Sequence, residues 1–569
     1  MPQSHPVFAL ADRFVDDYAA NDPLAATYSG VAGHDDRWGE LGVAGIEAKQ
    51  DLLRATRTAL DALPPAPGDD DAVLAMRTLR ELLDHELEAI TSHDVYRDVT
   101  HLASTVPAMR DVLEVQDAGT AEGSRALLAR LHGLPDALAG WRERIGRALE
   151  LDAVVGRRQV RSVLEQLMHA QGPDSAFRSR IERLATDHPT LADAAHASWP
   201  PIAEALGRTA DLLETRYLPA AAATDGVGVD RYLRSAAPML GTQLDIDETL
   251  SWAWDRLRTV TARARRVAAR IDADADLLGV FDQLRTDVRF AAPSREVFRA
   301  MMIERQATAL DHLDGTVVDV PAPLHRFEVR FAPPGGALGA SYIAPSEDLR
   351  RPGALLWSLG EGELVPLFEE ISTAYHEGFP GHHLQLGTQL LLGDRLSRAH
   401  RTLIWPPGYG EGWALYAETL MDELGALEEP MFELGYLSSS LLRLVRVVVD
   451  IGLHLDRPIP TDAPFHPGER WTAELATEAL QTLAALPADY ARSEVSRYLG
   501  WPAQAITYAI GERAILALRE DRRRRDGASF GLRRFHADVL GSGPVGLDHL
   551  RELVLADGQP PDGSPGSMP

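Results

Sequence analysis

The chain has 569 residues, 45% hydrophobic and 25% charged, the mix of an ordinary folded protein with room for three or four units of roughly 150 residues. It contains no cysteine, which excludes thiolate catalysis, iron–sulfur ligation, cysteine-type zinc sites and disulfides, so any metal has to be held by His, Asp or Glu. With 57 basic against 84 acidic residues the formal net charge is -27, which repels phosphate backbones and anionic lipid, so no nucleic acid and no membrane partner is expected.

The amino terminus, Met1-Pro-Gln-Ser-His-Pro-Val-Phe-Ala, has no basic region and soon meets Asp16-Asp17, so it does not read as a secretory signal. No run of 18 apolar residues occurs, and the expected location is cytoplasmic. Most of the chain then repeats its apolar residues at three and four spacings. Ala126 to Leu151 does so, and so does Gln159 to His169, where Val160, Val163, Leu164 and Leu167 form one stripe. Leu63 to Asp71 and Ala220 to Gly228 read as loops, the second marking a boundary between an amino-terminal helical lobe over 1–225 and a second lobe over 226–557.

Between Thr316 and about Trp357 the pattern changes. Thr316-Val-Val-Asp-Val and Phe327-Glu-Val-Arg-Phe alternate like half-buried strands, Pro-Pro-Gly-Gly at 333–336 turns the chain, and Ser341-Tyr-Ile and Ala354-Leu-Leu-Trp supply two further strands. The expectation is a mainly α protein with one small sheet. Helices resume until Asp557, and residues 558–569, rich in Pro, Gly and Ser, read as a disordered tail.

The densest chemistry lies at Tyr375-His376-Glu377-Gly378-Phe379-Pro380-Gly381-His382-His383. Pro366 suits a first helical turn, and Leu367, Phe368, Ile371, Ala374 and Tyr375 give an apolar stripe, so His376 and Glu377 arrive near a helix end. In a metalloprotease H-E-x-x-H helix, histidines four apart share a face and bind one Zn²⁺ while the adjacent Glu reaches its water. Here the spacing is six to His382, which on an unbroken helix lies roughly 120° off the face of His376. Pro380-Gly381 interrupts the helix, since proline lacks an N–H and clashes with the carbonyl of His376, and a two-residue bulge would bring His382 onto the metal. The alternative ligand is His383, in phase with His376 but ~10 Å along an ideal helix.

A third ligand is expected, with a fourth position left for water. Gly408-Tyr-Gly-Glu411-Gly-Trp413-Ala-Leu-Tyr416-Ala-Glu418 offers Glu411 after a Gly-Glu-Gly turn, and Glu418 on the same face would orient a ligand histidine through its other ring nitrogen. Isolated His and Glu on helices are ordinarily surface or satisfied polar groups. An adjacent His-Glu, a helix-breaking Pro-Gly and a histidine pair are hard to account for as packing alone.

At these residues the chain resembles the bacterial family catalogued as domain of unknown function 885. The matching motifs are H-E-x-x-P-G-H-H at His376 to His383 and E-G-W-x-x-Y-x-E at Glu411 to Glu418. Asn21 to Gly30, Tyr342 to Gly353, Arg497-Tyr498-Leu-Gly-Trp-Pro502-Ala-Gln504-Ala-Ile-Thr-Tyr508 and Phe535 to Gly541 extend the likeness over most of the chain. Ala503 stands where the family has Gly, and Glu347-Asp-Leu-Arg where it has Asp-Gly-Ser-Arg. The resemblance implies a large helical zincin-like fold related to angiotensin-converting enzyme, thimet oligopeptidase and Taq-type carboxypeptidases, with a deep cleft and a small sheet near the active site.

The implied activity is zinc-dependent hydrolysis of a peptide or small amide substrate, with one Zn²⁺ per chain on His376, His382 and Glu411. Zn²⁺ would activate water and polarise the scissile carbonyl, and Glu377 would take the proton and pass it to the leaving amine. A His-His-carboxylate set also suits Mn²⁺, Fe²⁺ or Co²⁺. Tyr508 is the candidate oxyanion donor, or else a packing tyrosine; Arg497 is a second candidate, or else the partner of Glu494 one turn earlier. Tyr342, Tyr498 and Gln504 are expected to bind substrate, and His383, if not a ligand, would hydrogen-bond substrate or oxyanion. The rival readings are a zinc-dependent amidase or lyase on a specialised metabolite, and a non-catalytic helical binding protein with a vestigial site.

Overall fold

The computed structural model describes residues 5–331, 339–345, 349, 351–359 and 364–556, and it is mainly α. The two stretches of helical periodicity lie in helices Ala121–Glu150 and Arg157–Gln171; in the latter Val160, Val163 and Leu167 are buried and Leu164 is half-buried. The loop after Leu63 ends where the Asp69 carboxylate accepts from the Ala72 N–H and so caps helix Asp70–Thr91. Buried apolar side chains form three clusters. Two come almost wholly from residues before 222; the third runs from Tyr232 to Val554 and takes in Leu74. The tail at 558–569 and the Pro-Pro-Gly-Gly turn at 333–336 lie outside the described residues, as do Glu347, Asp348 and Arg350. Among the described residues no helix is long and apolar enough to cross a membrane.

Three strands form the small sheet: β1 (Phe327–Phe331), β2 (Gly339–Ile343) and β3 (Gly353–Ser358). The order is β1-β3-β2, with β3 parallel to β1 and antiparallel to β2. β3 is central and buries Ala354, Leu355 and Trp357, which leaves β2 at an edge. The expected strand at Thr316–Val320 does not form. Helix Arg295–Leu313 instead ends in a tight turn, closed from Gly315 N–H to the Val318 carbonyl at 2.8 Å, and the alternation there buries Val318 and Val320 without a ladder. Five alternating residues fit a turn with two inward valines as well as a strand. Pro366 likewise does not begin the metal-motif helix. Val365–Pro366 pairs with Ala291–Ala292, and the helix starts two residues later.

Seven helices matter for the site: α1 (Ile246–Ile271), α2 (Phe368–Glu377), α3 (His382–Leu391), α4 (Pro407–Glu423), α5 (Pro430–Leu455), α6 (Ala488–Gly500) and α7 (Thr507–Asp526). α5 is buried along most of its length, and α1 and α2 both pack against it. α4 and α7 form the most extensive helix pair. Their approach depends on glycine, since a Cβ on Gly511 would stand 2.0 Å from the Gly408 carbonyl oxygen and 2.7 Å from the Gly412 Cα. The Gly-Glu-Gly segment read as a turn is therefore helical, and Gly412 lets α7 come close while Gly410 faces the Trp405 ring. Replacing Gly511 by Ala is expected to destabilise the fold by about 1–3 kcal/mol, the usual cost of overpacking, read from urea unfolding. An unchanged midpoint would mean the two helices can part without cost.

Candidate functional site

The site begins where α2 stops. His376 and Glu377 are the last two residues of α2, and His382 is the first of α3. The expected bulge within one helix is instead a four-residue break, Gly378 to Gly381, between two helices. A side chain at Gly381 would place Cβ 2.0 Å from the His376 carbonyl oxygen, so only glycine lets the chain fold back here. Two buried side chains hold the break. Gln306, from helix Arg295–Leu313, accepts from the Phe379 N–H at 2.5 Å and donates to the Ala374 carbonyl at 2.8 Å, while the Trp413 indole donates to the Pro380 carbonyl at 2.9 Å.

This geometry turns the two imidazoles toward each other, with ring centroids 5.0 Å apart and planes nearly perpendicular. Glu411, on the second turn of α4, closes the triangle. Its Oε2 lies 3.4 Å from His376 Nε2 and 3.5 Å from His382 Nε2. One donor atom from each of the three residues falls within 4.8 Å of the others. Behind them Glu418 Oε1 accepts from His376 Nδ1 at 2.9 Å, and its other oxygen accepts from the Ser372 hydroxyl.

The bond from His376 to Glu418 has a chemical consequence. With its proton on Nδ1 toward Glu418, His376 presents a lone pair at Nε2 to the Glu411 carboxylate. Two acceptors 3.4 Å apart repel unless a proton or a cation sits between them. Bonds of about 2.0–2.1 Å at a tetrahedral angle separate ligand atoms by roughly 3.3–3.4 Å, so the observed spacings suit a divalent ion such as zinc. Without metal, a proton takes that place. Burial opposes the charge on His376, but the hydrogen bonds to Glu411 and Glu418 outweigh it and push the imidazole up to about 10. Burial acts against Glu411 too, and the two histidines overcome it, holding the carboxylate well below its usual range.

His383 lies outside this cluster. Its Nε2 donates to the Leu324 carbonyl at 2.7 Å and its Nδ1 accepts from the Tyr342 hydroxyl at 2.7 Å, so both nitrogens are engaged; burial lowers its pKa in keeping with a neutral ring. Of the two candidate histidines, the structure brings His382 to His376 and Glu411 and anchors His383 to the sheet. Tyr342 lines the cleft from β2 with its hydroxyl held by that anchor.

The cleft, about 560 Å³, is lined by Glu377, by the His376, His382 and Glu411 triangle and by Tyr508. The Tyr508 ring stacks beside His376 at 6.5 Å, and burial, then the Glu411 carboxylate, raise its pKa, so the phenol keeps its proton at neutral pH. Its hydroxyl has no hydrogen-bond partner among the described residues. Arg497, Tyr498 and Gln504 are not brought to the cleft. Arg497 donates to Glu494 at 2.9 Å and to the Gln504 side chain, and Tyr498, fully buried, donates to Glu494 at 2.6 Å. They form a layer behind the wall, where Glu494 accepts from Arg497 and Tyr498 and Arg497 in turn holds Gln504.

Gln306, Ser372, Trp405 and the arginines of α5 were not legible as site residues. Trp405 stands 6.3 Å from the His382 ring, and Arg443 and Arg446 line the cleft beside Tyr508. None sits in a spacing pattern that announces a role; Trp413 lay inside a motif, but its bond to the Pro380 carbonyl was not.

The chain belongs to a family of bacterial proteins of unknown function, DUF885, whose model matches residues 23–554. No curated protein matches the chain. Among solved structures it is similar to a candidate lipoprotein from Colwellia psychrerythraea, 20% identical with a TM-score of 0.82, over 96% of this chain and 98% of that one. It is also similar to a candidate lipoprotein of unknown function from Shewanella oneidensis, 18% identical with a TM-score of 0.73, over 96% and 100%. At these identities the likeness establishes the fold. The family's Gly at the position of Ala503 has a physical reason, since Ala503 adopts a left-handed φ of 67° that glycine occupies more easily.

In metal-free protein the raised His376 stabilises the fold fully below its ordinary value of 6.5, and that contribution is lost as pH rises through about 10. The depressed Glu411 contributes above its ordinary 4.5 and loses its share as pH falls. In chelator, unfolding temperatures should therefore decline from about pH 6.5 toward about pH 10, and Glu411→Gln should flatten the decline. A pH profile identical in the variant would remove the ion pair as its cause.

Proposed function

We propose that the chain is a metal-dependent hydrolase of peptide or peptide-like amide bonds, with one divalent ion, zinc by preference, held by His376, His382 and Glu411. The observation that carries this reading is the convergence of two imidazole nitrogens and a carboxylate oxygen at 3.4 and 3.5 Å, in a cleft that also holds Glu377. A bound divalent ion supplies Lewis-acid polarisation of a carbonyl and makes water acidic enough to attack near neutral pH.

The protein's own groups do the rest. Glu418 and Ser372 fix the His376 tautomer, which keeps the Nε2 lone pair directed into the cleft. Glu377, next to a ligand and facing the cleft, is placed to take a proton from water and return it to the leaving amine. The Tyr508 phenol, protonated and without another partner, donates to the carbonyl oxygen as negative charge develops there. Residues Gly339 to Tyr342 of the edge strand β2 line the cleft, which supports an extended substrate pairing with that edge.

Profiling a defined peptide mixture with zinc-reconstituted protein tests the reading. Glu377→Gln should retain about one zinc per chain and lose turnover by about 10²–10⁴-fold, whereas His376→Ala should lose both. Glu418→Gln should weaken zinc binding about 10–100-fold in competition with a chelator, leaving the fold intact. Unchanged cleavage by the Glu377 variant sinks the assignment of the base. Zinc retained with no peptide cut points to an amidase or lyase on a specialised metabolite, and no zinc retained to a vestigial site.

A further inference from the structure

α5 brings two arginines to the cleft wall beside Tyr508, in a protein whose net charge is -27. The guanidinium carbon of Arg443 lies 4.9 Å from the Tyr508 ring centre, and that of Arg446 lies 5.0 Å from it. Neither is fully satisfied. Arg443 has no hydrogen-bond or ion-pair partner among the described residues, and its Nε is buried without an acceptor. Arg446, 5% exposed, gives Nε and Nη2 to Glu494 at 2.9 and 2.7 Å but leaves Nη1 buried and unpartnered.

Glu494 cannot neutralise this wall alone, because it also serves Arg497 and Tyr498. Of the other acids that line the cleft, Glu369 is engaged with Arg285 and Ser438, Glu370 with the Trp357 indole, and Glu411 and Glu418 with the histidines, while Glu377 makes no hydrogen bond or ion pair with either arginine. A buried guanidinium N–H without an acceptor is costly, and two such groups beside one tyrosine ring at the cleft wall call for an anionic acceptor.

We infer that Arg443 and Arg446 bind a carboxylate of the substrate, close to the bond that is cut. This deepens the hydrolase reading and rests on it for the word substrate, while the binding itself does not depend on catalysis. From the His376 ring to the Tyr508 ring is 6.5 Å, and from there to Arg443 is 4.9 Å. At ~3.3–3.6 Å per extended residue, about three residues cover that path. The carboxylate is therefore either the chain end or the side chain of an Asp or Glu within about three residues of the scissile bond. The first makes the enzyme trim short pieces from carboxyl ends; the second makes it select acidic sequences.

Calorimetric binding to the full-length Glu377→Gln protein, with zinc, separates these. The probes are N-acetyl-tetraalanine as the free acid, the same peptide as the carboxamide, and the carboxamide with Asp in the last position. One of the two carboxylate peptides should bind at least tenfold more tightly than the neutral carboxamide, and which one identifies the source. Arg443→Met in the same background should bring all three within twofold, and Arg443→Lys should restore part of the preference, both variants keeping the parent's urea midpoint. Equal affinities for the three peptides, including no detectable binding of any, overturn the inference, as does a tenfold preference that survives Arg443→Met. Because binding is read without turnover, absence of hydrolysis by the unaltered protein counts against the proposed function and leaves this result standing.

Discussion

His376 and His382 can face one cation only because the backbone ceases to be helical between them. Six residues of continuous helix would set them on different sides, and the break at Gly378 to Gly381 turns α3 back so that its first residue meets the penultimate residue of α2. A break of this kind exposes backbone groups in a buried place, and each needs a partner. Gly378 and Gly381 find theirs in the backbone of α2 and α3, and Gln306 and Trp413 serve the Phe379 N–H and the Pro380 carbonyl from two other helices, so the break is held from outside as well as from within. Trp413 sits two residues from Glu411 on α4, so the helix that supports the break also delivers the carboxylate of the triangle.

The cleft is electrostatically divided. One wall concentrates acids around the histidines, where a cation or a proton is required to relieve like-charged and lone-pair contacts. The other concentrates guanidinium groups around Tyr508, with Glu494 shared among several donors. Tyr508 stands between the two, its ring against His376 on one flank and near both arginines on the other. A phenol in that position stays protonated because burial and the neighbouring Glu411 both disfavour its anion. Opposite charges held apart in a low-dielectric cleft cannot cancel by moving together, since each is fixed by partners behind it; they can be satisfied by a ligand carrying both a cation's coordination needs and an anionic group.

Much of this was legible without coordinates. Apolar spacing placed the helices at 126–151 and 159–169, and β-type alternation placed β1 and β3. The charge-bearing members of the triangle were named from a His-Glu pair, a helix breaker and a second acidic helix. Alternation misled at Thr316–Val320, where inward valines of a turn mimic a strand, and a proline taken for a first helical turn proved to end a two-residue strand pairing. Arg497, Tyr498 and Gln504 share a motif with Tyr508, yet only Tyr508 reaches the cleft. Four to eleven residues of helix and turn separate them from it, and a linear motif does not say which of its members face inward.

The sequence by itself determined the helical class, the absence of thiol chemistry and the set of residue types able to hold a metal, because composition and local spacing control these directly. Tertiary structure alone decided that His382 and not His383 joins the cluster, since that choice depends on how the chain turns at Gly381 and on Leu324 and Tyr342 occupying both nitrogens of His383. It also decided that Arg443 and Arg446 stand at the cleft. Glu494, the partner of Arg446, comes from α6 and Tyr508, the ring beside both, from α7, more than forty residues away along the chain, and a charge on a buried helix is read as costly or useful only once the groups opposite it are known.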